Sequence, residues 1–207
     1  MFSRGQNGDL LLIVNKIDGE LRVLKVYRDP VSIINEADLI EDAKKLAKFK
    51  NTNIVKLFET GNLMFEGERY FFIIMEYIER KSFGELIPVV FREKTSFNER
   101  LNLFTELLET IISFRKDYEL HNDLHPGNIM LYTECGERKI KIIDFGTSKD
   151  TYNTGKQDYD IYMLRNNILD IFVTSDELFS QGIDNPSEIA DFNDLKKVFL
   201  KNKIKNF

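Results

Sequence analysis

The chain has no tryptophan, one cysteine, two histidines and four prolines among its 207 residues. A single thiol, Cys135, cannot close an internal disulfide, so no disulfide framework holds this fold and a reducing compartment is expected. Two histidines argue against a histidine-rich metal site. The longest apolar runs, Leu10–Val14 and Tyr70–Met75, fall far short of the roughly 20 residues a membrane helix needs. The N-terminus shows neither a long apolar stretch nor a small-residue cleavage site. The expected location is therefore the cytoplasm, or a host cytosol reached without a classical signal peptide. Positive charge is also scarce: 29 Lys and Arg stand against 34 Asp and Glu, a net charge of −5 that disfavours nucleic-acid binding. What is present, 43% hydrophobic and 30% charged residues, supports a core and excludes wholesale disorder. At roughly 100–200 residues per domain, the length fits one compact domain or two small lobes.

The first third alternates like a sheet. Residues 9–16 and 21–27 predict strands around Asp18-Gly19, a pair that tolerates positive φ in a hairpin. In the second run Leu21, Val23, Lys25 and Tyr27 share one face, which sets Lys25 mid-strand among apolar neighbours. From about Ser32 to Phe49 the spacing turns helical, with Leu39, Ala43, Leu46 and Phe49 on one stripe. Strands are predicted at 54–59 and 69–77, and beyond Ile78 the pattern changes. Residues 98–118 predict a long helix, 129–132 and 139–143 a hairpin, and 158–174 and 187–200 further helices. Two regions follow, a β-rich one over 1–77 and a helix-rich one over 78–207.

The most informative stretch is His121-Asn122-Asp123-Leu124-His125-Pro126-Gly127-Asn128, followed sixteen residues later by Asp144-Phe145-Gly146. Phosphoryl transfer depends on positioning and charge neutralisation. An aspartate such as Asp123 orients the attacking hydroxyl and accepts its proton. Magnesium on nucleotide phosphates takes hard oxygen ligands, which Asn128 and Asp144 offer. A hairpin between them brings those two residues to one end. A zinc site on His121 and His125 is disfavoured because Pro126-Gly127 stops a helix there.

These residues resemble the protein kinase-like superfamily: His121-x-Asp123-Leu124-x-x-x-Asn128 is similar to its catalytic loop and Asp144-Phe145-Gly146 to its metal-binding triplet. The resemblance covers nearly the whole chain. It implies an α+β, bilobal fold with a small antiparallel-sheet N-lobe carrying one helix and a minimal, mainly helical C-lobe. It implies ATP and Mg2+, with Mn2+ as an alternative, and makes Lys25 in Val23-Leu24-Lys25-Val26 the lysine that pairs with the α- and β-phosphates. Asp42 falls where the helix glutamate that holds this lysine is usual, with Glu41 and Glu36 as alternatives. Gly5 and Gly8 stand in for an eroded glycine-rich loop. The backbone groups of Glu76 and Ile78 would face the adenine, and Asp160 would brace the catalytic loop from below.

The sequence also departs from the pattern. His125 replaces the lysine that contacts the transferred phosphate in typical Ser/Thr kinases, which resembles the aminoglycoside and choline kinase branch. Asn122 replaces the arginine that docks a phosphorylated activation loop, and no Ala-Pro-Glu motif follows Gly146. The expectation is a minimal, atypical Ser/Thr protein kinase acting on a protein hydroxyl, with a partner protein completing or regulating the reduced C-lobe. The alternatives are a small-molecule kinase and a nucleotide-binding pseudokinase that serves as a partner-binding module.

Overall fold

The computed structural model describes residues 3–4, 8–33, 35–79, 82–118, 121, 123–144 and 159–180. The chain divides into two compact units, Met1–Glu79 and Arg80–Phe207. The first is an antiparallel sheet with one helix and the second combines helices with a hairpin, an α+β composition.

In the first unit, strands β1 (Ser3–Arg4), β2 (Gly8–Val14), β3 (Leu21–Tyr27), β4 (Leu57–Phe65) and β5 (Glu68–Glu76) form one sheet in the order β1-β2-β3-β5-β4. The β2–β3 turn is closed by its own side chains. Asn15 Oδ1 accepts the Ile17 N–H at 3.0 Å, Asp18 Oδ1 accepts the Glu20 N–H at 2.9 Å, and Gly19 sits at φ +74°. Helix α1 (Glu36–Lys48) starts later than its periodicity suggested, because Pro30–Ile33 closes a turn of its own. Asn35 then caps the helix with its carbonyl, and Glu36 and Asp38 complement the positive end of the helix dipole. Leu39 and Ala43 are the buried stripe of α1, and Val23 and Phe71 are buried in the sheet. Glu36 ties the helix to the sheet through Asn62 Nδ2 at 2.6 Å and Arg69 at 2.9 Å. The predicted strand at 54–59 is displaced: the ladder begins at Leu57, and Ile54, in an isolated bridge, and Val55 are buried ahead of it.

In the second unit, α2 (Pro88–Glu93) precedes the long helix α3 (Phe97–Tyr118). Strands β6 (Ile129–Glu134) and β7 (Glu137–Ile142) form a hairpin, turned by Cys135 and Gly136 at φ +51° and +84°. Helix α4 (Tyr159–Met163) runs through a five-residue π segment, Leu164–Ile168, into α5 (Leu169–Phe172), and α6 (Ser175–Ser180) follows. Leu103, Phe104, Leu107, Leu108 and Ile111 of α3 pack with Ile129, Ile140 and Ile142 of the hairpin and with Leu164, Ile168 and Phe172 in one core. The expected helix at 187–200 lies outside the described residues.

Helix α6 begins with a capping box. Thr174 Oγ1 accepts the Glu177 N–H at 3.2 Å, and Glu177 Oε2 accepts the Thr174 N–H at 2.8 Å. The same carboxylate holds Arg100 of α3 in a two-pronged pair at 2.6 and 3.0 Å, while Arg100 also donates to the Phe172 carbonyl. The Arg100 hydrogen bond, helped by those from Thr174, pulls the Glu177 pKa from 4.5 down to about 2. A carboxylate depressed on folding stabilises the native state above its unfolded pKa and loses that contribution as acid protonates it. Thermal denaturation of Glu177→Gln beside the unsubstituted chain is therefore expected to show a stability gap at neutral pH that narrows between pH 4.5 and about 2.

Candidate active site

The centre of the site is the loop between α3 and β6. His121 is 2% exposed, and its backbone N–H donates to Asp160 Oδ2 at 2.9 Å. Asp160 is fully buried in α4, with Arg115 of α3 at 3.8 Å. The carboxylate expected to brace the loop does so through this main-chain hydrogen bond. Burial lowers the His121 pKa from 6.5 to about 4 against the opposing charge of Asp144, so the ring is neutral at ordinary pH. Its Nδ1 then accepts the Asp123 N–H at 3.3 Å. Two groups thus orient the backbone just before Asp123.

Asn128 closes the loop from the other side. It ends a one-turn 3-10 helix, Pro126–Asn128, and its Nδ2 donates to the Asp123 carbonyl at 2.9 Å and to Asp123 Oδ2 at 3.1 Å. The hairpin register Ile129↔Ile142 places the two strand ends together, and Ile143 N–H donates to the Asn128 carbonyl at 2.9 Å. Asp144 comes next, half-buried, at φ +54°. That left-handed conformation is uncommon outside glycine, least so for Asp and Asn, and marks the point where the chain leaves the strand direction. Asp123, Asn128 and Asp144 are thereby gathered by one loop and one hairpin. The Asn128 amide nitrogen is committed to Asp123, which leaves its oxygen and the Asp144 carboxylate as hard-oxygen groups of the kind Mg2+ takes. Among the described residues no three Asp, Glu, His or Cys side chains gather into a closed metal cage. Phosphate and water oxygens would complete the shell of such a pair.

The sequence did not single out Gly84. The turn Phe83–Glu85 rests directly on the catalytic loop, and a Cβ on Gly84 would lie 3.1 Å from Gly127 Cα and N. Ser82 bridges to Met130 just before it. Arg115 was likewise not anticipated, and no local pattern distinguishes it from the other charges of α3.

The remaining predicted residues lie in the first unit. Lys25 is 4% exposed at the centre of the sheet, in register with Leu10 and Ile73, and its Nζ lies 5.2 Å from the centre of the Tyr27 ring. Of the proposed helix partners, Glu36 is committed to Arg69 and Asn62, Glu41 is exposed, and the side chain of Asp42 lies outside the described residues. Gly8 opens β2 opposite Tyr27, where a Cβ would overlap the Val26 carbonyl oxygen, so the sheet itself requires glycine there. Gly5 lies outside the described residues, as do Asn122, Phe145, Gly146 and the segment to 158. Glu76 ends β5, and its N–H donates to the Lys56 carbonyl at 2.9 Å; Ile78 follows half-buried.

Comparison with known proteins agrees with this geometry. Calcium/calmodulin-dependent protein kinase type 1 of Caenorhabditis briggsae is 29% identical over 147 residues, 70% of this chain and 39% of that protein. A probable serine/threonine-protein kinase of Dictyostelium discoideum is 29% identical over 149 residues, 70% of this chain and 27% of that protein. Calcium-dependent protein kinase 4 of Plasmodium berghei is 28% identical over 152 residues, 72% of this chain and 28% of that protein. The match thus spans well under half the length of each of these relatives. The fold is that of the PknI kinase domain of Mycobacterium tuberculosis, with a TM-score of 0.62 at 19% identity over 83% of this chain and 71% of that one. The protein kinase domain model matches residues 3–174, a span that holds Lys25, the catalytic loop, the β6–β7 hairpin and Asp160, and the chain belongs to that family.

Proposed function

We propose that this chain transfers the γ-phosphoryl group of ATP to a serine or threonine hydroxyl of a protein. The observation that carries the reading is the catalytic loop itself. A carboxylate, Asp123, is held at 3.1 Å by the side-chain amide of Asn128, whose backbone carbonyl receives the N–H of Ile143 at 2.9 Å, just before Asp144. A module that only bound a partner would have no need of this arrangement. The relatives with protein-kinase names support a protein acceptor.

In this reading Asp123 orients the acceptor hydroxyl and takes up its proton as the oxygen attacks phosphorus. Asn128 holds the Asp123 carboxylate in place and, with Asp144, presents oxygens to Mg2+ or Mn2+. When bound, the metal supplies positive charge against the phosphate oxygens. Lys25 contributes a further positive charge to the α- and β-phosphates, with Asp42 of α1 as its acidic partner. Gly5 and Gly8 border the phosphates, and the main chain at Glu76 and Ile78 meets the adenine. His121, its pKa lowered to about 4 by burial, serves as an acceptor that fixes the Asp123 N–H.

A second reading, a small-molecule kinase, is favoured by one observation, the histidine at position 125. The two are separated by incubating the purified chain with γ-labelled ATP and Mg2+ beside dephosphorylated proteins, and separately beside aminoglycosides and small alcohols. Label in serine or threonine is expected. Label only in the small alcohols moves the assignment to the second reading, and no label above that of Asp123→Ala contradicts both.

A further inference from the structure

His125 occupies the loop position that departs most from the kinase pattern, and its surroundings give it work other than touching phosphate. Its backbone is extended, at φ −151° and ψ 165°, and its imidazole reaches forward so that Nδ1 accepts the Gly127 N–H at 3.0 Å. Its carbonyl accepts the Asn128 N–H at 2.9 Å. Pro126 has no N–H, so this one residue satisfies both amides of the 3-10 turn. With Nδ1 accepting, the neutral ring carries its proton on Nε2. Such caps are ordinarily Ser, Thr, Asp or Asn. Imidazole Nδ1 stands as many bonds from Cβ as asparagine Oδ1 does, and so serves in the same way.

The ring also explains the glycine beneath it. A Cβ on Gly127 would lie 2.7 Å from His125 Cε1 and 2.9 Å from Nδ1. From another side, a Cβ on Gly84 would lie 3.1 Å from Gly127 Cα. Bare backbone is therefore held between the imidazole and the Phe83–Glu85 turn. What the capped turn delivers is Asn128, with its two hydrogen bonds to Asp123.

We propose that His125 is a positioning residue: through Nδ1 it caps the turn Pro126–Asn128 and so fixes Asn128 and, through it, the Asp123 carboxylate. The inference rests on the phosphotransferase reading for its effect on rate, though not for its geometry.

Three substitutions separate this role from direct contact with phosphate. His125→Asn keeps an acceptor where Nδ1 stands and deletes Nε2. His125→Gln extends a polar group toward the place of Nε2 but offers no acceptor at the cap. His125→Ala removes both. With labelled ATP, Mg2+ and dephosphorylated casein as probes, kcat of the alanine and glutamine variants is expected to fall on the order of 100-fold, the scale of misplaced catalytic groups, with a smaller change in the KM for ATP. His125→Asn is expected to exceed His125→Gln by about tenfold or more, since asparagine is as good a cap. The reverse ranking overturns the proposal and returns the imidazole to the phosphate. Gly127→Ala is expected to cost far more rate with His125 present than in the His125→Ala background; additive losses contradict the packing argument. One measurement needs no activity. Hydrogen exchange at the Gly127 amide is expected to be slow in the unsubstituted and asparagine chains and fast in the alanine and glutamine chains. Equal exchange in all four overturns the cap. If even the unsubstituted chain transfers no phosphate, the function fails while this exchange still decides the role of His125.

Discussion

Asp123→Asn is expected to lower phosphoryl transfer about 100- to 10,000-fold while leaving the melting temperature close to that of the unsubstituted chain. The rate loss is the usual contribution of a positioned general base, which an amide cannot replace. The fold is spared because Asp123 is anchored mainly by its backbone: its N–H reaches His121 Nδ1 at 3.3 Å and its carbonyl receives Asn128 Nδ2 at 2.9 Å. An asparagine carbonyl oxygen still accepts from Asn128, so the loop keeps its shape. The check is paired: kcat with labelled ATP, and thermal denaturation of both chains. A variant that transfers phosphate at the unsubstituted rate removes Asp123 from the chemistry.

Phe172→Ala is expected to have the largest effect on stability. Its ring is fully buried, with Phe83, Phe104 and Phe91 at centroid distances of 4.9, 5.3 and 6.1 Å. Rings at these separations and tilts gain edge-to-face attraction beyond simple burial. Removing one leaves a cavity walled by three others, on elements that cannot all move inward. The cost is about 3–5 kcal/mol, a large part of the stability of a small domain. The Phe172 carbonyl also receives Arg100, so a collapse around the cavity would strain the Arg100–Glu177 pair. Chemical denaturation with a matched slope for the two chains measures this directly. A loss under about 1 kcal/mol, the usual size for a site outside the packed core, would contradict the packing described.

Some of this architecture was legible in the residues alone. Strand β3 follows from the alternation of Leu21, Val23, Lys25 and Tyr27, because a half-buried strand writes its two faces with period two. The β6–β7 hairpin followed from strand-like runs at 129–132 and 139–143, and with it the meeting of Asn128 and the residues before Asp144. Other parts left weaker traces. Helix α2 has six residues and the turn Phe83–Glu85 three, too few for any period to emerge. The Thr174-x-x-Glu177 capping box is a local signal that was present but obscured by the apolar residues before it, which suggested one helix running through 174. In that same stretch the backbone widens into a π segment at Leu164–Ile168, and Asn166 turns its side chain back to the Tyr162 carbonyl at 2.9 Å. Side chains that bond to nearby backbone in this way do not alter hydrophobic spacing, so the pattern carried no sign of it. The contact of Gly84 with Gly127 joins residues 43 positions apart, and glycines without side chains give periodicity nothing to register.

The central claim is that Asp123, Asn128 and Asp144 form a phosphotransferase centre. The most direct test measures phosphate transfer from γ-labelled ATP by the purified chain, with and without Mg2+, beside Asp144→Ala at equal concentration and with its fold confirmed by thermal denaturation. The account predicts label in serine or threonine that requires Mg2+ and is lost in Asp144→Ala. Equal transfer by the two chains, or transfer indifferent to Mg2+, would contradict it.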